Sequence, residues 1–142
     1  DRLGPILLQL PPSLEADFDR LERTLEAFGP KVRVAFEPRH ASWFVPALCE
    51  VLRRHDAAFV LADRRSRPIT PLWFPATWTY VRMHQGRAAP RPCYGRGALR
   101  SWVDRIAGAN DGYVYFNNDH RACAIANAVT FERMLERRRP AA

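Results

Sequence analysis

The side chains with the greatest chemical potential follow directly after apolar runs of the chain. Glu37, Arg39 and His40 come after the alternating apolar residues of 32–36. A carboxylate can act as a general base, an imidazole can donate or shuttle a proton, and a guanidinium can hold a phosphate or carboxylate through two parallel hydrogen bonds. This segment could therefore bind an anion and transfer a proton. The alternative is that Glu37 and Arg39 only pair with each other at a solvated rim.

Four further apolar runs end in polar side chains of the same kinds. The catalytic candidates of the whole chain are its strand-end carboxylates and imidazoles, namely Glu37, His40, Asp63, His84 and Asp119. The substrate-binding candidates are its strand-end amides and guanidiniums, namely Gln9, Arg39, Arg82, Asn117 and Asn118. With Arg39 and Arg82 as anion clamps, Glu37 or Asp63 as base and His40 or His84 as acid, the reaction class that we expect first is hydrolysis of an anionic or phosphorylated substrate.

A divalent metal is a variant of the same hypothesis. Glu37, His84 and Asp119 form a mixed carboxylate and imidazole set, which suits Mn or Zn. Two arginines at the same place disfavour a metal, and no H-E-x-x-H spacing supports one. The sequence therefore assigns neither a metal nor any other cofactor.

Two other functions fit the same sequence. A nucleic-acid-binding protein would use the arginines of two loops, Arg64, Arg65, Arg67, Arg87, Arg91 and Arg96, with Trp73, Trp78 or Tyr94 to stack on bases. A structural fragment without activity would instead use Glu37, Arg39, Arg82 and Asp119 as a buried ion-pair network. The net charge of +7, in which Lys31 is the only lysine, favours a small anionic ligand or a nucleic acid as partner.

Strands alternating with helices must position these side chains. The predicted strands are residues 6–10, 32–36, 57–62, 79–84 and 113–117. The predicted helices follow Ser13, Ser42, Gly97 and Asp119, and loops cover residues 64–77 and 85–97. Strands of this apolar character require a parallel sheet covered by helices. In a closed barrel the strand ends would meet at one mouth, whereas in an open sheet they would spread along one edge.

Composition indicates one globular domain over residues 1–142, with a polar, frayed tail at 136–142. No apolar run approaches the ~20 residues of a membrane helix, and no leader precedes Asp1, so we expect a cytoplasmic protein without a membrane partner. Cys49, Cys93 and Cys123 are odd in number and far apart, so we expect reduced thiols, with Cys49 and Cys123 buried. The sequence indicates no oligomeric state.

Several motifs resemble the YecE-like family, also called domain of unknown function 72. They are Q-L-P-P at Gln9, E-P-R-H-A-S-W at Glu37, A-D at Ala62, Y-V-R-M-H at Tyr80, L-R-S-W at Leu99, Y-V-Y-F-N-N-D at Tyr113 and N-A at Asn127. The resemblance covers nearly the whole chain and implies an α/β fold, a TIM-type (β/α) barrel of which only the C-terminal five strands are present. The chain does not begin with methionine, which is consistent with such a partial barrel. One departure is Ala122, where the family commonly has glycine.

Overall fold

Six strands and four α-helices lie within residues 3–138, which the computed structural model describes, and only β3, β4 and β5 follow one another without a helix between them. The strands are β1 (Ile6–Gln9), β2 (Val34–Glu37), β3 (Ala58–Arg64), β4 (Arg67–Pro68), β5 (Thr79–Met83) and β6 (Gly112–Phe116). The helices are α1 (Phe18–Phe28), α2 (Pro46–Arg54), α3 (Arg96–Arg105) and α4 (Cys123–Glu136), and short 3-10 helices cover Ala41–Trp43 and His120–Ala122.

Five strands are neighbours in the order in which they occur in the chain: β1, β2, β3, β5 and β6. β1 and β2 pair in parallel with Leu8 opposite Phe36, and β2 and β3 pair in parallel with Phe36 opposite Phe59. Sequential parallel strands joined through helices are typical of a TIM-type barrel. The predicted fold class, α/β with five strands of a partial TIM-type barrel, is confirmed.

The segment after Asp63 differs from the predicted loop. β3 continues to Arg64 and turns back into β4, which pairs with it in antiparallel register, Asp63 opposite Pro68 and Arg64 opposite Arg67. The prediction missed this hairpin because Pro68 lowers the strand signal and two residues are too few to show a period. The hairpin places Arg65 and Arg67 at exposed positions.

The chain divides into two compact units, Asp1–Val60 with Pro71–Tyr80 and Leu61–Thr70 with Val81–Ala142. In the first unit Trp43 is the centre of an aromatic cluster, since its ring meets those of Phe36 and Phe18 edge-on at 5.1 and 5.5 Å. Its Nε1 donates to the carbonyl of Leu14 over 2.9 Å, so the one polar atom of this buried ring is satisfied. The single-domain assignment of residues 1–142 stays a prediction.

Two predicted helix caps are wrong. Asp17, not Ser13, caps α1, because its carboxylate accepts the backbone N–H of Arg20 over 2.9 Å. Ser42 lies inside a 3-10 turn, and α2 begins at Pro46, whose missing N–H costs nothing in the first turn of a helix. The Ser42 hydroxyl instead accepts the N–H of Ala16 over 2.8 Å.

In the second unit α3 buries Leu99, Trp102 and Val103. The predicted buried side of α4 contained Ala124, Ile125, Ala128, Phe131 and Leu135. The observed buried residues of α4 are Cys123, Ala124, Asn127 and Phe131, and Ile125 is 70% exposed. The predicted buried face of α4 differs from the observed one because apolar residues alone defined it. Asn127 is polar, yet it faces inward and binds a loop.

The expectation of reduced thiols is wrong for two cysteines. Cys93 and Cys123, 30 residues apart, form a disulfide in the second unit. Spacing could not predict this pair, because only the folded loop after β5 brings Cys93 to the start of α4. Cys49 is a free thiol and is half-buried rather than buried, whereas Cys123 is buried as expected.

The remaining expectations concern the tail and the membrane. In the predicted frayed tail, Glu136 ends α4 and Arg138 forms an ion pair with Asp104, while residues 139–142 lie outside the described residues. No helix within residues 3–138 combines the length and the apolar character that crossing a membrane requires. The cytoplasmic location stays a prediction.

Candidate anion-binding site

Three predicted site residues meet at the ends of β1 and β2 in the first unit. Gln9 is paired in register with Glu37, and the Leu10 N–H donates to the Glu37 carbonyl over 3.0 Å. The buried Glu37 carboxylate lies 3.6 Å from the Arg39 guanidinium, whose side chain is 42% exposed. The structure therefore brings Gln9, Glu37 and Arg39 together, and Arg39 still presents its guanidinium to solvent.

His40 is held by the turn that follows. Its Nδ1 accepts the N–H of Ser42 over 3.3 Å and lies 2.8 Å from the Ser42 hydroxyl. Because Nδ1 is an acceptor here, the proton of the neutral ring belongs on Nε2. His40 can therefore offer a donor only through Nε2.

Asp63, the predicted base of the second unit, is wholly buried. Its Oδ1 accepts from the Tyr94 hydroxyl over 2.8 Å and its Oδ2 from Trp102 Nε1 over 2.7 Å. Burial raises the pKa of this carboxyl group, and the hydrogen bonds from Trp102 and Tyr94 oppose that rise. Since both oxygens bind protein donors, the geometry favours a positioning role for Asp63 over direct proton abstraction.

The other predicted residues of the second unit lie at neighbouring strand ends. The His84 N–H donates to the Asp63 carbonyl over 3.0 Å, and the Asn117 N–H donates to the Met83 carbonyl over 2.9 Å. Arg82 and His84 are half-buried, and Asn117 and Asp119 are exposed. The exposure of Asp119 and of Arg39 does not match the buried ion-pair network of the structural hypothesis.

Asn118 faces inward and forms hydrogen bonds that hold the loop after β5 in place. Its Nδ2 donates to the Pro92 carbonyl over 3.1 Å and to Asn127 Oδ1 over 3.0 Å. Asn127 in turn pairs with both backbone groups of Tyr94, accepting from its N–H over 2.8 Å and donating to its carbonyl over 2.9 Å. The two asparagines thus bind the chain on both sides of Cys93.

Four exposed arginines converge on one cleft of the second unit. Its volume is about 560 Å³, and its lining residues are Arg65, Arg67, Gln85, Gly86, Arg87 and Arg91. No carboxylate lines the cleft, and none of the four arginines forms an ion pair with a residue in the described range 3–138. We call this feature the arginine cleft.

The first arm of the arginine cleft is the turn between β3 and β4. Arg65 and Ser66 have φ of 57° and 58°, the left-handed conformation that a two-residue hairpin turn needs and that Asn-Gly usually supplies. Each such residue costs roughly 1 kcal/mol, so other contacts must hold the turn. The Ser66 N–H donates to the Gln85 carbonyl over 3.3 Å, which joins this arm to the second one.

The second arm is the loop from Gln85 to Gly95, which folds back on itself. The Gly86 N–H donates to the Pro92 carbonyl over 2.8 Å, and the Ala88 N–H donates to the Cys93 carbonyl over 2.9 Å. The approach is so close that a Cβ on Gly86 would lie 1.9 Å from the Cys93 oxygen. Glycine is therefore required here, and Arg87 and Arg91 are carried on a narrow, paired arm.

Tyr94 connects the arginine cleft to the interior. Its hydroxyl donates to Asp63 and accepts the N–H of Gln85 over 2.9 Å. Burial raises the pKa of Tyr94 further above its usual range, and the neighbouring Asp63 adds to this rise. The residue pattern alone does not identify Tyr94, Trp102 and Asn127 as supporting residues. The only available signal was a polar asparagine inside an otherwise apolar helical pattern.

The sequence model of a protein family, described as "Protein of unknown function DUF72", matches residues 1–142. The chain belongs to the DUF72 family. The YecE-like resemblance is thereby confirmed, because the two names denote the same family. No curated protein matches the chain at a significant level.

Solved structures of this family are similar to the chain. A DUF72 family protein from Thermotoga maritima has a TM-score of 0.78 and 27% identity, over 95% of this chain and 58% of that protein. Two structures of a DUF72 family protein from Enterococcus faecalis have TM-scores of 0.75 and identities of 17% and 18%, over 93% of this chain and 58% or 61% of theirs. The chain thus spans about three fifths of the length of these DUF72 proteins, and the Enterococcus structures support the fold alone.

The residues of the metal and nucleic-acid hypotheses have surroundings of their own. Among residues 3–138 no group of three His, Cys, Asp or Glu side chains could hold a metal ion. Trp78 and Tyr94 are buried and hydrogen-bonded, Trp78 Nε1 to the Asp56 carbonyl, so neither offers a free face to a base. Trp73 is half-buried and packs on Phe59 with 5.3 Å between ring centroids.

Proposed function

We propose that the chain binds a small phosphate-bearing ligand in the arginine cleft and that the DUF72 protein to which it corresponds hydrolyses that ligand. The observation that carries the binding part is the convergence of Arg65, Arg67, Arg87 and Arg91 without a neighbouring carboxylate. Guanidinium groups match the oxygens of phosphate in geometry as well as in charge. The arginine cleft therefore has the chemistry of an anion site.

The electrostatic balance of the arginine cleft supports an anionic occupant. Four like charges around one opening repel each other, and a phosphate with two negative charges would offset much of that repulsion. Some exposed arginines outside the cleft pair with a carboxylate, as in Arg53 with Glu50 and Arg54 with Glu22. Clustered arginines without such partners are what a ligand site needs.

Binding can be measured by isothermal titration of inorganic pyrophosphate. Arg67→Ala and Arg87→Ala each remove a charged donor, so the affinity should fall about ten- to a hundredfold for each variant. The matched control is Arg23→Ala, an exposed arginine of α1 in the first unit, which should bind like the parent protein. Equal affinities in all four proteins, or no binding by the parent, would overturn the proposal.

The proposed hydrolysis is argued from the position of His84 in the chain. His84 directly precedes Gln85 and Gly86, which line the arginine cleft, and an imidazole beside a phosphate can protonate the leaving oxygen. Glu37, His40 and Arg39 in the first unit, and Arg82, Asn117 and Asp119 in the second, remain candidates for further roles. His84→Gln should retain pyrophosphate binding and lose any turnover of a phosphate monoester, and unchanged turnover would remove His84 as the acid.

A nucleic-acid backbone is the second candidate, because the arginine cleft is open and its arginines are exposed. The two ligands differ in salt dependence. Affinity for a single strand should fall steeply with salt, with a slope that grows with the number of phosphates contacted. Tighter binding of a 20-nucleotide single strand than of pyrophosphate at low salt would favour this alternative.

A further inference from the structure

We propose that the Cys93–Cys123 disulfide is a redox control of the arginine cleft, such that reduction weakens anion binding. This inference rests on the proposed anion-binding function. The disulfide joins the loop that carries Arg87 and Arg91 to the first residue of α4. No other side-chain cross-link ties that loop to the rest of the second unit within residues 3–138.

The position of Cys93 makes the loop sensitive to the link. Cys93 lies on the returning side of the paired arm, where its carbonyl accepts the Ala88 N–H over 2.9 Å and its N–H donates to the Pro90 carbonyl over 3.0 Å. Arg87 and Arg91 both lie between Gly86 and Pro92, which are hydrogen-bonded to each other across this arm. A restraint on Cys93 therefore restrains the spacing of both guanidiniums.

The other end of the link stands next to strained backbone. Arg121 and Ala122, which directly precede Cys123, both have left-handed φ of 57° and 56° although neither is glycine. Such a conformation persists only where the surroundings impose it. The disulfide at the next residue is one such restraint, and its reduction permits this turn to relax.

The non-covalent contacts keep the second unit folded after reduction. Asn118 still binds the Pro92 carbonyl, Asn127 still binds both backbone groups of Tyr94, and Tyr94 still binds Asp63. We therefore expect local loosening of residues 86–93 rather than unfolding. An opening confined to one loop is what a control device requires.

Reduction needs a dithiol reagent and transfers two electrons. A thiolate of the reagent attacks the sulfur of Cys93, which belongs to a half-buried residue, and the S–S bond breaks to release the Cys123 thiolate. That thiolate takes up a proton. The second thiol of the reagent then attacks the mixed disulfide and releases the Cys93 thiol, and the reagent leaves as its own disulfide.

Two readouts test the inference on the oxidised protein and on the protein treated with dithiothreitol. The affinity for inorganic pyrophosphate should fall at least fivefold on reduction, and amide hydrogen exchange at Gly86, Ala88 and Cys93 should accelerate at least tenfold. The Cys49→Ser variant retains the disulfide and should respond like the parent. The double variant Cys93→Ser with Cys123→Ser should bind weakly with or without dithiothreitol.

The outcomes separate this inference from the proposed function. Equal affinity and equal hydrogen exchange in the two redox states would overturn the redox inference. If the oxidised protein does not bind pyrophosphate, the proposed function fails. The hydrogen exchange of residues 86–93 in the two redox states then still shows whether the disulfide controls the order of this loop. Circular dichroism of the reduced protein must show retained helix content, and global unfolding on reduction would also contradict a local control.

Discussion

At the scale of single residues, Tyr94 connects several parts of the second unit. It joins the buried Asp63 to the Gln85 backbone, its own backbone is held by Asn127, and its ring meets Phe116 edge-on at 6.2 Å between centroids. A phenol can serve in this way because it donates one hydrogen bond and accepts another. The arginine cleft therefore depends on a residue that does not line it.

Tyr94→Phe should lower the free energy of unfolding by about 1–3 kcal/mol, because Asp63 and the Gln85 N–H each lose a buried partner. Urea denaturation measures this change. Tyr115→Phe is the control, since that side chain is 41% exposed and the ring stacked on Tyr113 is retained. A loss for Tyr94→Phe no larger than that of the control would contradict the role of the hydroxyl.

At the scale of elements, the structure of the loop after β5 differs from what its sequence predicts. Its proline and arginine content predicts a mobile or disordered connection. In the structure it is a paired arm held by backbone hydrogen bonds, two asparagines and a disulfide. Contacts between residues distant in sequence order this loop, so local composition could not predict its order.

Gly86→Ala tests the closeness of the two sides of this arm. The new methyl group would overlap the Cys93 backbone, so we expect a loss of about 1–3 kcal/mol in unfolding free energy and weaker pyrophosphate binding. Gly97→Ala is the matched control, because nothing lies within 4 Å of its Cβ position and alanine suits a helix better than glycine. If both variants bind and unfold alike, the arm is open in solution.

The contact between α1 and α2 provides a prediction about pH. Glu22 accepts hydrogen bonds from Arg54 and lies 2.6 Å from His55 Nε2, and these two partners lower the pKa of Glu22 below its usual value of 4.5. A carboxyl group whose pKa is lower in the folded than in the unfolded state stabilises the folded protein at pH values above its unfolded-state pKa. This stabilisation is lost as the pH falls through its folded-state pKa. The stabilisation by Glu22 should therefore be present at pH 7 and disappear below about pH 4.

Denaturation midpoints of the parent and of Glu22→Gln should accordingly differ at pH 7 and converge at pH 3. The effect should be small, since the Arg54 side chain is 56% exposed and its interaction with Glu22 is screened by solvent. Glu26→Gln, at an exposed position of the same helix, is the control and should shift the midpoint less at pH 7. A midpoint difference that does not change with pH would exclude the ionised Glu22 as its cause.

At the scale of the whole molecule, the disulfide closes a chain segment of 30 residues that includes α3 and β6. A cross-link over this separation restricts the unfolded chain by roughly 3–4 kcal/mol in the loop-entropy model. Replacing both cysteines by serine should lower the free energy of unfolding by about that amount. Cys49→Ser should change it by less than about 1 kcal/mol, and equal effects of the two replacements would show that the cross-link adds no stability.

The sequence by itself determined the family, the order of the four helices and of every strand except β4, and the residue types at the strand ends. These features depend on local periodicity and on motifs, which a linear chain displays directly. It also predicted that the polar strand ends share one mouth or one edge of the sheet, because parallel strands align their carboxyl ends, and Gln9 is in register with Glu37 at such an edge. The caps of α1 and α2 escaped it, since several polar residues near each start compete for the cap.

Only the tertiary structure decided which polar groups face inward and which arginines converge. Asp63 is buried because Tyr94 and Trp102, 31 and 39 residues away, supply its donors. Asn127 faces the interior of the second unit because the backbone of Tyr94 meets it there. Cys93 reaches Cys123 through the same folded loop, which also brings Arg87 and Arg91 to the hairpin of Arg65 and Arg67. Such partners are separated by tens of residues, and no local pattern encodes a contact at that range.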